Sequence, residues 1–414
     1  MPETLSRWRH FNYTRYPSLA ENALGATPSK TGVSPPAEWL VLLECARPNQ
    51  SPGHLPVLLQ RNSPNWPALL ELADEHGLLP LLIAGLPDSG EDLVPAGIRH
   101  KLRERARAQT VFTLQLTGEL FLLLARFAAS GITTLVTKGP VLAQRCYGDP
   151  GMRQYGDLDL IVFENDIRRV TEAMIGFGYE PRIPVQAIAA KKVPGEYVFR
   201  RPGPNLLIEF HTERTFRYHP RRLRLESLFE RQARVEVDGQ GVPALSVEDE
   251  LVLICIHGAK HFWERLMWVA DVAALISRNP GIDWDRVTSA AREVGAERML
   301  CVGLQLASTM LGVGLPREID QQVFSDVTAL HLAAQIAKRM AEADSLRLGI
   351  LERATFRMKM RGGLLPGAAY LLRLLFSPTE EDWIAGSEEK RSSLLDAVSR
   401  PFRLARKYGR TSKD

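Results

Sequence analysis

The sequence predicts an α+β protein, helical towards both ends, with a small strand-bearing module between. Three observations lead there. Apolar residues recur at helical spacing from Ala37 to about Ser130. Between Ile132 and Thr212 the pattern breaks into short β-branched and apolar runs bounded by glycine and proline. From Ser246 the helical spacing returns and runs, with breaks near Gly281, Pro316 and Gly362, to a basic end.

Residues 1–34 are rich in Ser, Thr, Pro and Gly with few periodic apolar positions, and read as a loose polar leader. The N-terminal helical region spans 35–130. Trp39, Leu40, Leu42 and Leu43 start one helix, and Trp66, Leu69, Leu70, Leu72 and Ala73 mark another. Pro95 to Ser130 makes one or two long helices, with Leu114, Leu116, Leu120, Leu123 and Leu124 as the buried stripe.

The α/β module spans 131–245. Ile132 to Val136 reads as a strand, and Pro140 suits the first position of a helix reaching Tyr147. A loop from Gly148 to Gly156 leads into a strand, Asp157 to Phe163, and a helix from about Asp166 to Gly176. Glu196 to Arg200 and Leu206 to Thr212 are further strands, separated by Pro202-Gly-Pro204. A helical region, 246–345, follows, with Ser246 and Asp249 as a capped start. A basic helical C-terminal region covers 346–414. No internal repeat is present.

Composition excludes several classes. With 414 residues, 45% hydrophobic and 24% charged, the chain is neither largely disordered nor low in complexity. Lys and Arg (52) outnumber Asp and Glu (48) by only 4, far from the concentrated charge of a dedicated nucleic-acid binder. Cys45, Cys146, Cys255 and Cys301 form no C-x-x-C pair and suit free thiols in a reducing cytoplasm. The first 35 residues hold no signal-type apolar stretch, and Thr117, Glu119 and Arg126 interrupt Leu114 to Ala129, so no membrane span is expected. No P-loop, nucleophile elbow or dinucleotide glycine fingerprint occurs.

Asp157 and Asp159 are the most informative pair. Two residues apart in a strand, they share a face, while Leu158, Leu160, Ile161 and Val162 mark the strand as buried. Adjacent buried carboxylates repel unless a cation joins them. Magnesium, which takes one or two carboxylates plus substrate phosphates, answers that need. Spacing alone also allows a plainer reading, in which Asp157 caps a turn and Asp159 pairs with an arginine.

The surrounding text favours the first. Thr137-Lys-Gly-Pro-Val-Leu-Ala143, Tyr147-Gly-Asp-Pro-Gly-Met-Arg153 and Gly156-Asp-Leu-Asp-Leu-Ile-Val162 together resemble the nucleotidyltransferase superfamily that includes DNA polymerase beta. More narrowly they look like a bacterial nucleotidyltransferase-like family with a Lys-Gly strand end and a Gly-Asp-x-Asp strand. The resemblance covers about residues 37 to 300. It implies a small mixed sheet flanked by helices, with two acids on one strand and a third on a neighbour holding Mg2+ or Mn2+. Asp157 and Asp159 match the pair. Glu209, in Leu206-Leu-Ile-Glu-Phe-His211, is the expected third acid, both metal ligand and acceptor of the attacking hydroxyl's proton. The plainer reading pairs Glu209 with Arg200 or Arg201. His211 shares its face and is placed towards substrate.

The superfamily grips triphosphate with Gly-Ser after the first strand, whereas this chain has Lys138-Gly139-Pro140. Lys138 replaces the hydroxyl as a point charge on phosphate, Gly139 permits close backbone approach, and Arg153 is a second phosphate ligand. The plainer reading has both cations simply neutralise the two aspartates.

Leu251 to Leu275 carries a second constellation. On a continuous helix His257, His261, Glu264, Trp268 and Asp271 fall within an arc of about 80°, with Lys260 at its margin. This stripe is expected to line the cleft opposite the sheet and meet nucleotide or acceptor, or to pack on the module through hydrogen bonds. His257-Gly-Ala-Lys-His261 lacks the glutamate of a zinc hydrolase helix. Trp263 is read as interdomain packing. Arg400, Arg403, Arg406, Lys407, Arg410 and Lys413 read as a solvated helix end.

The resemblance thus implies metal-dependent transfer of a nucleotidyl group from a nucleoside triphosphate such as ATP to a small molecule or peptide. The alternatives are a catalytically inactive nucleotide-binding or regulatory protein of the same fold, and an enzyme acting on RNA ends. Nucleic acid is not the favoured partner, because the charge is nearly balanced.

Overall fold

Gly131 is where helix gives way to sheet, and the computed structural model shows what each side of that change builds. It describes residues 35–49, 53–86, 93–189, 196–203, 205–213, 224–342 and 348–362, with 367, 368 and 372. The expected leader and the basic cluster from Arg400 to Lys413 lie outside the described residues.

Helices α1 (Ala37–Ala46), α2 (His54–Asn62), α3 (Trp66–Glu75) and α4 (Leu79–Gly85) precede the long α5 (Ala96–Ala129). The expected one or two helices between Pro95 and Ser130 are therefore one. The module then runs β1 (Leu135–Thr137), α6 (Gly139–Tyr147), β2 (Asp157–Ile161), α7 (Ile167–Gly176), β3 (Glu180–Pro181), α8 (Val185–Ala189), β4 (Glu196–Arg201) and β5 (Leu206–His211). It closes with α9 (Leu225–Glu230), β6 (Ala233–Val237) and β7 (Gln240–Ala244). Beyond it come α10 (Val247–Lys260), α11 (Leu266–Arg278), α12 (Trp284–Val294), α13 (Glu297–Leu311), α14 (Arg317–Ser325), α15 (Val327–Ala341) and α16 (Ile350–Met360).

The strands form one mixed sheet in the order β3-β4-β5-β2-β1-β7-β6. β2 runs parallel to β5 and β1 parallel to β7, and the other pairs are antiparallel. The predicted α+β class with a small mixed sheet between helical regions is the observed one. The first strand is shorter than expected, pairing only from Leu135 to Thr137 rather than from Ile132. Three strands lie beyond those read from the sequence. β6 and β7 form a hairpin around Asp238 (φ 47°) and Gly239 (φ 76°), a two-residue turn whose left-handed pair matches strand twist.

One sheet face packs on α5 and α7. Leu116, Leu120, Leu123 and Phe127 of α5 are wholly buried there against Val136, Leu158, Leu160, Ile208 and Phe210. An 18-residue window of α5 has a mean hydropathy of 1.4, long and apolar enough to cross a membrane, contrary to the expectation that polar residues interrupt it. Packing on the sheet covers only part of it: 39% of that window is buried, while Val111, Leu114 of the expected buried stripe and Leu122 stay exposed. Glu119, within the helix, accepts hydrogen bonds from Tyr179 (2.8 Å) and Arg201 (2.7 Å). The remaining helices bury a larger core that joins α1 to α4 with α10 to α16. All four cysteines are free thiols.

Ser246 caps α10 as expected, its Oγ accepting from the Asp249 amide at 3.1 Å. The helix expected from Leu251 to Leu275 is not continuous. α10 ends at Lys260, Phe262 (φ 58°) and Trp263 (φ 53°) turn left-handed, and α11 begins at Leu266. The cause is the Trp263 indole, which is fully buried between Gly258 and Gly303. A Cβ at Gly258 would stand 2.7 Å from that ring, and one at Gly303 3.2 Å away. Two left-handed residues cost about 1–2 kcal/mol each. Burying roughly 200 Å² of indole contributes ~5 kcal/mol, which outweighs them.

The glycines therefore predict opposite effects. Gly258→Ala is expected to lose about 1–3 kcal/mol in urea unfolding, because the indole has nowhere to move. Gly118→Ala, on an open stretch of α5 with nothing within 4 Å of the new Cβ, is expected to gain about 0.5–1 kcal/mol.

Candidate active site

The site grows out of strand alternation. In β2, Leu158 and Leu160 enter the core beneath α5, so Asp157, Asp159 and Ile161 occupy the opposite face. That face changes character along the strand. Ile161 joins Leu135, Leu225, Leu228, Phe229 and Leu245 in a small apolar cluster, while the two aspartates lie at the other end. β5 aligns Glu209 with Asp159 and His211 with Ile161, and β4 aligns Glu196 with His211. Asp157, Asp159, Glu196, Glu209 and His211 thus share one side of the sheet.

α10 crosses that side. Its Glu250, with no exposed surface, accepts from Thr137 Oγ1 at 3.1 Å and from the Lys138 amide at 3.2 Å. Lys138 adopts a left-handed backbone (φ 53°), and Gly139 follows at φ 45°, where a side chain would be strained. α6 starts at Gly139, so Pro140 is its second residue rather than its first. The bent strand end aims the Lys138 side chain at the carboxylates. Its Nζ donates to Asp159 Oδ1 at 3.0 Å. His211 Nε2 donates to the same oxygen at 2.7 Å and lies 3.9 Å from Glu209 Oε2.

Burial pushes the Asp159 carboxyl up, but the Lys138 charge and the His211 hydrogen bond outweigh it and hold it well below the carboxylate range. Asp157 is raised by burial and by the Asp159 charge. Glu209 is pushed up to about 7 by burial and the same charge. One firmly ionised acid therefore sits beside two that hold their protons longer.

Among the described residues, Asp159, Glu209 and His211 could hold a metal ion, their ligand atoms lying within 4.8 Å of one another. Two carboxylate oxygens and an imidazole nitrogen make up this donor set. Asp157 stands beside this trio rather than in it.

The expected substrate-side stripe divides four ways. His257, His261 and Trp268 meet as a ring cluster, with centroids 4.6, 5.3 and 5.4 Å apart. Burial and the Lys138 charge lower His257 well below its usual value, and burial with Lys260 lowers His261 to about 4. The cluster is neutral at pH 7. Lys260 Nζ lies 3.7 Å from Glu196 Oε2, reaching the sheet. Glu264 turns away to Arg353 at 3.7 Å. Asp271 is bound by Arg153 Nε at 3.0 and 3.1 Å and by the Tyr147 hydroxyl at 3.1 Å. Arg153 and Asp271 are both buried, a partnership of loop and α11 rather than two contacts for ligand. The charge of Arg153 still reaches Asp157 and lowers it. The broken helix explains the division, since Glu264 and Asp271 no longer share a face with His257.

Glu250 and Glu196 were missed by the sequence reading. Glu250 looks like one more acid in a helix's first turn. Glu196 opens a strand next to residues outside the described set, but its alternation with Val198, which pairs with Glu209, could have placed it on the same face.

The mixed sheet thus brings paired acids on one strand, a third on its parallel neighbour and a Lys-Gly strand end to one face, the arrangement that the resemblance of the sequence implies. Residues 62–312 match the family of uncharacterised nucleotidyltransferases, and the chain belongs to it. A solved structure, an antigenic nucleotidyltransferase-like protein from Paracoccidioides brasiliensis, is similar at 16% identity over 53% of this chain and 96% of that one, with a TM-score of 0.28. No curated protein matches the chain.

Two predictions follow from this electrostatic arrangement. Glu209 keeps its proton in the fold up to about 7, against an ordinary value of 4.5, so its contribution to stability is lost as pH rises across that interval. In chelator-treated protein, Glu209→Gln is expected to flatten this fall and to melt above the wild type at pH 8, read by circular dichroism. Asp271→Ala strands Arg153 in the interior and is expected to cost about 3–5 kcal/mol in urea unfolding.

Proposed function

We propose that the protein transfers a nucleotidyl group from a nucleoside triphosphate, ATP among the candidates, to a hydroxyl of a small-molecule or peptide acceptor. The observation that carries this is the register of β2 and β5, which sets Asp159 opposite Glu209 with His211 and Lys138 on the same oxygen. In this reading Asp159 and Glu209, with Asp157 beside them, would hold Mg2+ or Mn2+, which would supply positive charge to stabilise the anionic oxygens of the transfer.

The chain's own residues do the rest. Glu209, with its raised carboxyl, accepts the proton of the acceptor hydroxyl. Lys138 supplies a point charge for phosphate where a serine hydroxyl is absent, and Gly139 leaves room at the backbone. His211 orients Asp159. His257 and His261, near enough to feel the Lys138 charge and packed against Trp268, would offer an uncharged surface for a nucleobase or an aromatic acceptor. The catalytic unit is residues 131–245, closed by the helical region 246–345.

A second reading is favoured by one observation, the Lys138 ammonium already neutralising Asp159: a nucleotide-binding protein that performs no transfer. Pyrophosphate release from the four nucleoside triphosphates, with and without Mg2+ or Mn2+, separates them. Release that needs the ion and falls about 100-fold or more in Asp159→Asn, with circular dichroism unchanged, is the expected result. Nucleotide binding by calorimetry without release supports the silent binder, and full turnover in Asp159→Asn overturns the assignment.

A further inference from the structure

We infer that Lys138 is a resident counter-cation that must leave Asp159 before the site can be loaded, so that nucleotide and divalent ion bind together and poorly apart. The inference rests on the preceding reading and adds a rule of assembly to it.

The argument starts from one oxygen. Asp159 Oδ1 accepts from Lys138 Nζ at 3.0 Å and from His211 Nε2 at 2.7 Å. A carboxylate oxygen has two lone pairs, so these two donors saturate it. Asp159 is also a member of the metal-competent trio. Of the two donors, His211 belongs to that same trio and is held by its strand, with only 11% of its side chain exposed. Lys138 is the movable one. Its side chain is 22% exposed and carries its charge on a flexible four-carbon stem.

The base of that stem is fixed. The Lys138 amide and the Thr137 hydroxyl are both held by buried Glu250, so the residue can turn its tip without shifting its backbone. Among the described residues of α10 and its C-terminal end, the basic side chains are uncharged or already paired. His257 and His261 are neutral, and Lys260 is paired with Glu196. When Lys138 swings out, Asp159 is left facing Asp157 and Glu209 uncompensated, which is costly in a buried site unless another cation arrives. When a cation arrives alone, Lys138 has no anion to go to. A nucleotide's phosphates provide that anion. The two ligands are therefore coupled, and the coupling is reciprocal.

Electron paramagnetic resonance of free Mn2+ tests this, with the α,β-methylene analogues of the four nucleoside triphosphates as the nucleotide probe. In the wild type the Mn2+ affinity is expected to rise about tenfold or more when an analogue is added. Lys138→Met is expected to bind Mn2+ alone about tenfold more tightly than the wild type, and to gain little more from the analogue. Lys138→Arg, which keeps the charge, should retain the coupling. Where Lys138→Met fails to show a cooperative melt, Lys138→Gln carries the same expectation. Equal Mn2+ affinities for wild type and the neutral variants, with nucleotide binding intact, overturn the counter-cation and leave the nucleotidyltransferase reading standing. An absence of both Mn2+ and analogue binding in the wild type overturns both.

Discussion

Carboxylates that share a buried sheet face repel one another, and this sheet projects Asp157, Asp159, Glu196 and Glu209 from the same side. What makes the arrangement tolerable is a matched set of cations and donors from elsewhere: Lys138 and His211 on Asp159, Lys260 on Glu196, and the more distant Arg153. The result is unequal. Asp159 is held ionised, whereas Asp157 and Glu209 are pushed towards their neutral forms. Carboxylates driven apart in this way are a common basis for dividing chemical roles within one site.

Glu250 ties this electrostatic centre to the helical core. Its carboxylate bridges the end of β1 and the Lys138 amide, while α10, which carries it, is also packed against α11, α12 and α13. Arg153 and Asp271 make the corresponding link from the loop before β2 to α11. Both ties are buried polar contacts between module and helices. They fix orientation more than they add stability, since desolvation offsets much of their attraction.

The parts legible in the sequence were those governed by short-range periodicity. Alternation put Asp157 with Asp159 and Glu209 with His211, the resemblance brought the two pairs together, and the Lys-Gly strand end located Lys138. The Asp238-Gly239 turn was legible too, with Val235, Val237 and Val242 alternating about it, although it went unread. Other features carry no local mark. The stretch from His261 to Arg265 contains neither glycine nor proline, and its break is imposed by Trp263 seeking space between two glycines, one of them 40 residues further on. The pairing of Arg153 with Asp271 spans 118 residues and is a property of packing. It removed Asp271 from a stripe that only a continuous helix would have formed.

The bridge from Glu250 back to Lys138 spans 112 residues, and the ion pair from Lys138 to Asp159 spans 21. A chain emerging from the ribosome therefore exposes its lysine and both aspartates long before the glutamate that sets the lysine's backbone has been made. Closing so wide a loop is entropically slow, and strands pairing over such distances leave edges open in the meantime. Nascent chains of this protein thus pass through an interval in which the sheet is present in parts but the reactive end of it is unset. The bond that sets the Lys138 backbone is supplied by residues made after every strand of the sheet.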